Sequence, residues 1–190
     1  MKVCIVAEGC YPYVVGGVSG WINSMIKSVP NVEFILLSIV SNRSVRGKFV
    51  YELPENLTQV YELYLEDCEW EEGERERKVR KRFHLSKKER TELTNLVMNR
   101  KIEWGVIFDL FQRKGVSVDD LLMGPDFFQI VRECYKRQYA NIVFSDFLWT
   151  MRSIYLPLFW TLKMKVPQAD LYHCVATGYA GVLGSMAKHF

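Results

Sequence analysis

The sequence predicts an α/β fold, a Rossmann-like parallel sheet with a helical insertion, and two observations carry this prediction. The apolar runs at residues 3–7 (VCIVA) and 34–40 (FILLSIV) are nearly unbroken, as in strands that are buried on both faces of a parallel sheet. A helix predicted for residues 18–28 joins them into a βαβ unit. Residues 170–175, followed by a glycine turn and a helix at 179–188, repeat the same design.

Two further strands are predicted after the βαβ unit. Residues 48–53 (KFVYEL) and 59–65 (QVYELYL) alternate between apolar and polar side chains. The intervening PEN at 54–56 is a turn signal. The pattern therefore favours an antiparallel pair at this point.

A helical insertion is predicted between about residues 67 and 165. Its first part is the charged run at 66–88, in which acidic residues precede basic ones, as suits a helix. A capped helix is expected to start near Ser86, and others are expected at 125–139 and from Ser145 onward. Residues 1–190 are thus read as one Rossmann-like domain that carries this insertion.

Composition narrows the possible functions. The chain has 190 residues, of which 49% are hydrophobic and 25% charged, which suits a globular domain with a core. The net charge of +3 gives no strong electrostatic case for nucleic acid as a partner and leaves only local basic patches open. Five cysteines without a CxxC pair favour reduced thiols in a cytoplasm, and no metal site is expected. The longest apolar stretch, 154–162, is far shorter than the about 20 residues of a membrane span.

The turn after the first strand lies in AEGCYPYVVGGVSGW, residues 7–21. Gly16 and Gly17 form either a plain strand-to-helix turn or a site where the backbone, at positive φ, approaches a diphosphate at the helix N-terminus. Ser19 is expected either to cap the helix or to contact the ligand, and capping is favoured. Tyr11 and Tyr13 are candidates for stacking on a sugar, or for packing as a lid.

The second turn lies in HCVATGYAGVLGSMAKH, residues 173–189. Thr177, Gly178 and Tyr179 either line a ligand cleft or form the N-cap of the last helix. Ligands of open parallel sheets bind at the carboxyl ends of the strands, so both turns are expected to face one site. Glu8, at the end of the first strand, is expected to anchor a loop by accepting backbone hydrogen bonds.

These two motifs, with YELPENLTQVYELYLED at 51–67 and the helical insertion, resemble the N-terminal domain of PelF-type glycosyltransferases. These belong to family four of the retaining enzymes with the GT-B fold, and the resemblance covers essentially the whole chain. It implies a retaining hexosyltransferase that adds sugar, expected to come from UDP-glucose, to an exopolysaccharide. The nucleotide sugar is then a substrate, and no permanently bound cofactor is expected.

The resemblance also implies partners and a location. The partners are the nucleotide sugar, a carbohydrate acceptor, the C-terminal donor-binding domain of the same protein and, as a candidate, a membrane-bound polysaccharide export complex. The expected location is cytoplasmic, with peripheral attachment to the inner membrane as a variant. Because the donor-binding domain is not among the 190 residues, the isolated chain is expected to be inactive.

Site residues follow from the resemblance as well. Val18 joins Gly16, Gly17 and Ser19 on the donor diphosphate and sugar side of the cleft. The acceptor side is lined by Tyr11, Tyr13, Thr177, Gly178 and Tyr179. His173 is the candidate catalytic residue, but Val175 stands where the family often has a second histidine, so a structural role in the core is favoured slightly.

Two other classes of function stay open. A dinucleotide-binding Rossmann domain needs G-x-G-x-x-G and an acid after the second strand, whereas the sequence has Gly16, Gly17 and Gly20, and then SIVSNR at 38–43. That class is disfavoured. A non-enzymatic binding or assembly module would use the helical insertion as its working surface, although its charged run is first of all typical of a solvated helix.

Overall fold

A computed structural model describes residues 1–67 and 84–190. Its sheet has four parallel strands in the order β3, β2, β1, β4. The strands are β1 (Lys2–Glu8), β2 (Glu33–Val40), β3 (Leu57–Tyr64) and β4 (Leu171–Cys174). β1 and β2 are buried over nearly their whole length, as their apolar sequences predict. The predicted α/β, Rossmann-like fold class is confirmed.

Two helices cover opposite faces of this sheet. In α1 (Gly17–Ser28), Ile22 and Ile26 pack in one core cluster with the odd-numbered residues of β1. Successive side chains of a strand point to opposite faces, so Cys4 and Val6 face the other way. α7 (Tyr179–His189) packs against β1 and β4, and its residue Gly184 contacts the Cys174 side chain of β4. The sheet is therefore doubly wound, with a helix on each side.

The chain divides into two compact units. The described residues of the first are 1–67 and 164–190, which hold the sheet, α1 and α7. Those of the second are 84–163. The second unit is helical and contains α2 (Lys87–Val97), α3 (Trp104–Gln112), α4 (Val118–Leu122), α5 (Pro125–Cys134) and α6 (Phe144–Lys163).

The helical unit is organised around buried aromatic rings. Phe159 of α6 lies 5.0 Å from Phe111 and 6.2 Å from Phe127, measured between ring centroids, and all three side chains are fully buried. α2 begins with a capping box in which Glu89 N donates to Ser86 Oγ and Ser86 N donates to Glu89 Oε2. The capped start predicted near Ser86 is thus confirmed, as are the helices from 125 and from about 145.

The antiparallel pair predicted after the βαβ unit is wrong. β3 pairs in parallel with β2, and residues 48–53 form no strand. Instead Val50 N donates to Pro12 O at 2.9 Å, and the Tyr51 ring lies 5.4 Å from the Tyr11 ring. When one side of a segment packs against a loop and the other side is exposed, apolar and polar residues alternate as they do in a strand. This shared pattern explains the wrong prediction.

Most of the charged run predicted as a helix, residues 66–88, lies outside the described residues. Among the helices that the structure describes, none combines the length and the apolar character that crossing a bilayer requires.

Candidate functional site

Two strand-to-helix turns meet at the carboxyl edge of the sheet. β1 and β4 are parallel neighbours, in which Ile5 pairs with His173, so the turns that follow them leave the sheet side by side. Gly16 is the N-cap residue of α1 and Gly178 that of α7. This edge is where parallel sheets bind their ligands.

The start of α1 is open. Gly16 is extended, with φ 179° and ψ 174°, and a β-carbon built at Gly16 or Gly17 meets no described atom within 4 Å. The positive φ expected for this pair is wrong; the left-handed glycine of the loop is Gly9, with φ 65°. In the described part of the chain no side chain caps α1, and its first turn holds no acidic residue. The positive end of the helix dipole therefore faces an accessible backbone.

Ser19 does not cap α1, so that prediction is wrong. α1 starts at Gly17, and Ser19 is its third residue, with 1% of its surface exposed. It lies on the same helical face as the core residues Ile22 and Ile26, three and seven positions later. Val18, by contrast, is exposed. Of the predicted donor-side residues, Gly16, Gly17 and Val18 are thus accessible and Ser19 is not.

Tyr11 and Tyr13 are buried residues of the loop after β1. The Tyr11 hydroxyl donates to Asn23 Oδ1 at 3.3 Å, and the Tyr13 hydroxyl bonds to the Glu62 carboxylate. Burial and the bond to Glu62 raise the pKa of Tyr13 far above its usual range. In this conformation both rings pack into the protein, so stacking on a sugar would require the loop to move.

The same loop is fixed by polar contacts that the sequence did not reveal. Ser38 Oγ donates to Tyr11 O at 3.1 Å, and Gly16 N lies 3.4 Å from the Tyr51 hydroxyl, which accepts its hydrogen bond. Tyr64 donates to Glu62 Oε2 at 2.6 Å, and burial together with this bond raises the pKa of Tyr64 to about 12. Ser38 is a polar residue inside the apolar run FILLSIV, and this irregularity is the local sign of these contacts in the sequence. The loop that leads to the glycine pair is consequently held in place from two sides.

Glu8 anchors the second turn, as expected. Its Oε2 accepts a hydrogen bond from Ala180 N at 3.2 Å, within the first turn of α7. The carboxylate thus occupies the N-terminus of α7, and an anionic ligand finds no such competitor at the start of α1. Thr177 and Gly178 are exposed beside it, and Tyr179 is half-buried.

His173 lies within β4 and not in the turn. Its ring is 5.6 Å from the ring of Trp21 on α1, at an angle of 37°, and the imidazole is half-buried. Val175 comes directly after β4 and is half-buried, and its backbone N–H donates to Val6 O at 3.0 Å. The structure therefore places His173 on the α1 side of the sheet, beside an aromatic ring.

The comparisons with known proteins give a family. The model of a domain of unknown function, DUF3492, matches residues 1–190. This chain belongs to the DUF3492 family. The DUF3492 domain forms the N-terminal domain of glycosyltransferases similar to family four, so the resemblance is confirmed at that level. No curated protein and no solved structure matches the chain.

The candidate site of this DUF3492 domain presents hydrogen-bonding groups. In residues 1–67 and 84–190 no group of three or more His, Cys, Asp and Glu side chains could hold a metal ion. The site offers backbone N–H groups at Gly17 and Val18, one carboxylate at Glu8, and open space above the glycine pair. Such an arrangement can accept an anionic group at α1 and hydroxyl groups near Glu8.

Proposed function

We propose that this chain is the N-terminal, acceptor-side half of a retaining glycosyltransferase that transfers glucose from UDP-glucose to a growing exopolysaccharide. The observation that carries the proposal is the uncapped, unobstructed start of α1 at the carboxyl edge of the sheet. It stands in a domain whose family forms the N-terminal part of glycosyltransferases.

The geometry suits the two tasks that retaining transfer sets. A departing nucleoside diphosphate develops negative charge, which the dipole and free N–H groups of α1 would stabilise. The acceptor hydroxyl must be held against the sugar on the face that the diphosphate leaves. The Gly178 turn follows the neighbouring strand β4, and the Glu8 carboxylate reaches it from the end of β1, so both would contact the acceptor.

The proposal includes a donor-binding second domain that supplies the remaining nucleotide contacts. We also propose that the full-length enzyme is cytoplasmic, works beside a membrane-bound export complex and uses the nucleotide sugar as a substrate. The chain alone would then bind ligands weakly and turn over nothing, because one wall of a cleft leaves the reacting groups in water.

The test uses the longer protein that contains both domains. It is incubated separately with UDP-glucose, UDP-galactose, UDP-N-acetylglucosamine and GDP-mannose, and the product linkage is determined by NMR. We expect polymer from UDP-glucose with retention at the anomeric carbon, and no product from residues 1–190 alone. Transfer with inversion would contradict the proposed retaining mechanism, and a preference for another nucleotide sugar would contradict the proposed donor. Ligand binding without turnover of any donor would favour an assembly module.

A further inference from the structure

An aromatic side chain stands exposed beside the candidate site. Trp21, in the second turn of α1, keeps 50% of its surface exposed although its ring lies against His173. Val18, three residues earlier and so on the same helical face, is 51% exposed. Leu171, on the same face of β4 as His173, is 47% exposed. We call these four residues, Val18, Trp21, Leu171 and His173, the Trp21 shelf.

The shelf starts at the candidate site. Val18 belongs to the first turn of α1, directly after the glycine pair at the carboxyl edge. α1 then runs back along the sheet, which brings Trp21 over His173 and leaves Leu171 two residues further from that edge. A molecule seated at the start of α1 could therefore extend onto the shelf.

The chemistry of the shelf suits a sugar ring. None of the four side chains is a carboxylate, an ammonium or a guanidinium group, so the shelf favours a ligand without formal charge. Trp21 offers a flat apolar face and an indole N–H, and the exposed side chains of Val18 and Leu171 add apolar surface to the shelf. A pyranose ring combines an apolar C–H face with a rim of hydroxyl groups, and an aromatic surface with a few polar groups at its edge matches both.

We infer that the Trp21 shelf binds a neutral pyranose ring of the carbohydrate acceptor. The inference rests on the proposed function, and it assigns roles to two residues. Trp21 contacts the sugar, whereas His173 is a positioning residue that holds the indole ring.

The test follows the indole N–H resonances of the chain in ¹H–¹⁵N spectra while cellotetraose and, separately, maltotetraose are added up to roughly 50 mM. The Trp21 resonance is assigned by its loss in Trp21→Phe. We expect it to shift saturably with at least one of the two oligosaccharides. Trp21→Ala should weaken the binding, followed on backbone amides of α1, about tenfold or more.

Trp149 of the helical unit provides a matched control, because 51% of its surface is exposed and Arg152 lies over its ring. Its resonance should stay in place, and Trp149→Phe should bind sugar like the unaltered chain. An unmoved Trp21 resonance, an equal shift at Trp149, or unchanged affinity in a folded Trp21→Ala chain would each overturn the inference.

Transfer by the longer protein separates this inference from the proposed function. If the protein transfers glucose but Trp21 shows no sugar binding, only the shelf is refuted. If Trp21 binds the oligosaccharide but no donor is turned over, the shelf stands and the transferase proposal fails.

Discussion

The carboxylate of Glu8 lies so close to Gly178 that a β-carbon built at Gly178 would come within 2.8 Å of Glu8 Oε2. The same oxygen accepts the hydrogen bond from Ala180 N. Because Gly178 has no side chain, the Glu8 carboxylate at the end of β1 has room to reach the first turn of α7. This contact couples the end of the central strand β1 to the second turn of the candidate site.

The coupling predicts a non-additive pair of substitutions. Gly178→Ala should push the Glu8 side chain off Ala180 N, and Glu8→Ala removes the same bond, so each should cost about 1 kcal/mol of unfolding free energy. The double variant should cost about as much as one single variant, because the interaction can be lost only once. Urea unfolding of the four chains measures this. Additive costs would show that the two residues act independently.

A second close contact lies further along α7. A β-carbon at Gly184 would overlap Cys174 Sγ, whereas one at Gly181 would lie 3.6 Å from Ala176 O, an ordinary contact. We expect Gly184→Ala to cost about 1–3 kcal/mol through overpacking. Gly181→Ala should be neutral or stabilise by up to about 1 kcal/mol, because alanine is the better helix former. Equal melting temperatures for the two variants would refute the contact.

Acid should weaken the helical unit through Glu89. Burial raises the pKa of Glu89, but hydrogen bonds from Lys114 and Ser86 outweigh it, and the net pKa lies below the ordinary value. Because the folded pKa is depressed, the stabilisation is present above the unfolded pKa and is lost as the pH falls through the folded pKa. Glu89→Gln should therefore cost about 1 kcal/mol at pH 7 and almost nothing at about pH 2.

Glu103 supplies the control for this prediction. Its carboxylate lies 2.7 Å from Lys88 Nζ, much as Glu89 lies 2.8 Å from Lys114 Nζ, but the Glu103–Lys88 pair is well exposed. Glu103→Gln should change the unfolding free energy by no more than about 0.5 kcal/mol at either pH. If both variants behave alike, the burial of Glu89 has no part in its effect.

The fold was predictable where the local sequence reports burial directly. The run 34–40 reads as a strand because nearly every side chain is apolar, and β2 is Glu33–Val40. The same holds for β1 and for the helices that follow the two glycine turns. The prediction failed at residues 48–53 because alternation of apolar and polar residues shows only that one side of a segment is buried. It does not show whether that side packs against a strand or against a loop.

The candidate site was predictable in position and less so in detail. Two glycine turns at strand ends indicate the carboxyl edge, and a carboxylate before a turn, such as Glu8, indicates an anchor. The network from Tyr13 through Glu62 to Tyr64 joins residues 49 positions apart in the chain, and no local pattern encodes such a contact. Ser19 was assigned wrongly for a different and local reason, because it shares its helical face with Ile22 and Ile26 and lies inside the helix.

His173 should prove structural and positioning in character. Its half-buried ring supports Trp21, so His173→Ala should lower the unfolding free energy by about 1–2 kcal/mol and reduce transfer by the longer protein at the same time. The exposed His189 is the control, and His189→Ala should change both quantities little. An unchanged melting temperature with a rate about a thousandfold lower would instead assign His173 a catalytic role.

Gly17 is the sharpest probe of the start of α1. A β-carbon at Gly17 meets no described atom within 4 Å, and Gly17 is not at positive φ, so Gly17→Ala should leave the fold intact or stabilise it slightly. The added methyl group would stand in the open space above the free N–H groups. If a diphosphate binds there, the variant should reduce kcat/KM for UDP-glucose in the longer protein by about tenfold or more.

Gly20→Ala separates obstruction from a general effect on the helix. Gly20 also lies in α1, its β-carbon would also meet open space, and Gly20 N already donates to Gly16 O at 2.8 Å, so it offers no free donor to a ligand. This variant should keep normal activity and helicity by circular dichroism. The two variants thus differ in whether the methyl group stands over unsatisfied backbone donors. Should Gly17→Ala transfer glucose as fast as Gly20→Ala, the glycine pair is a turn without a ligand, and the diphosphate must bind elsewhere.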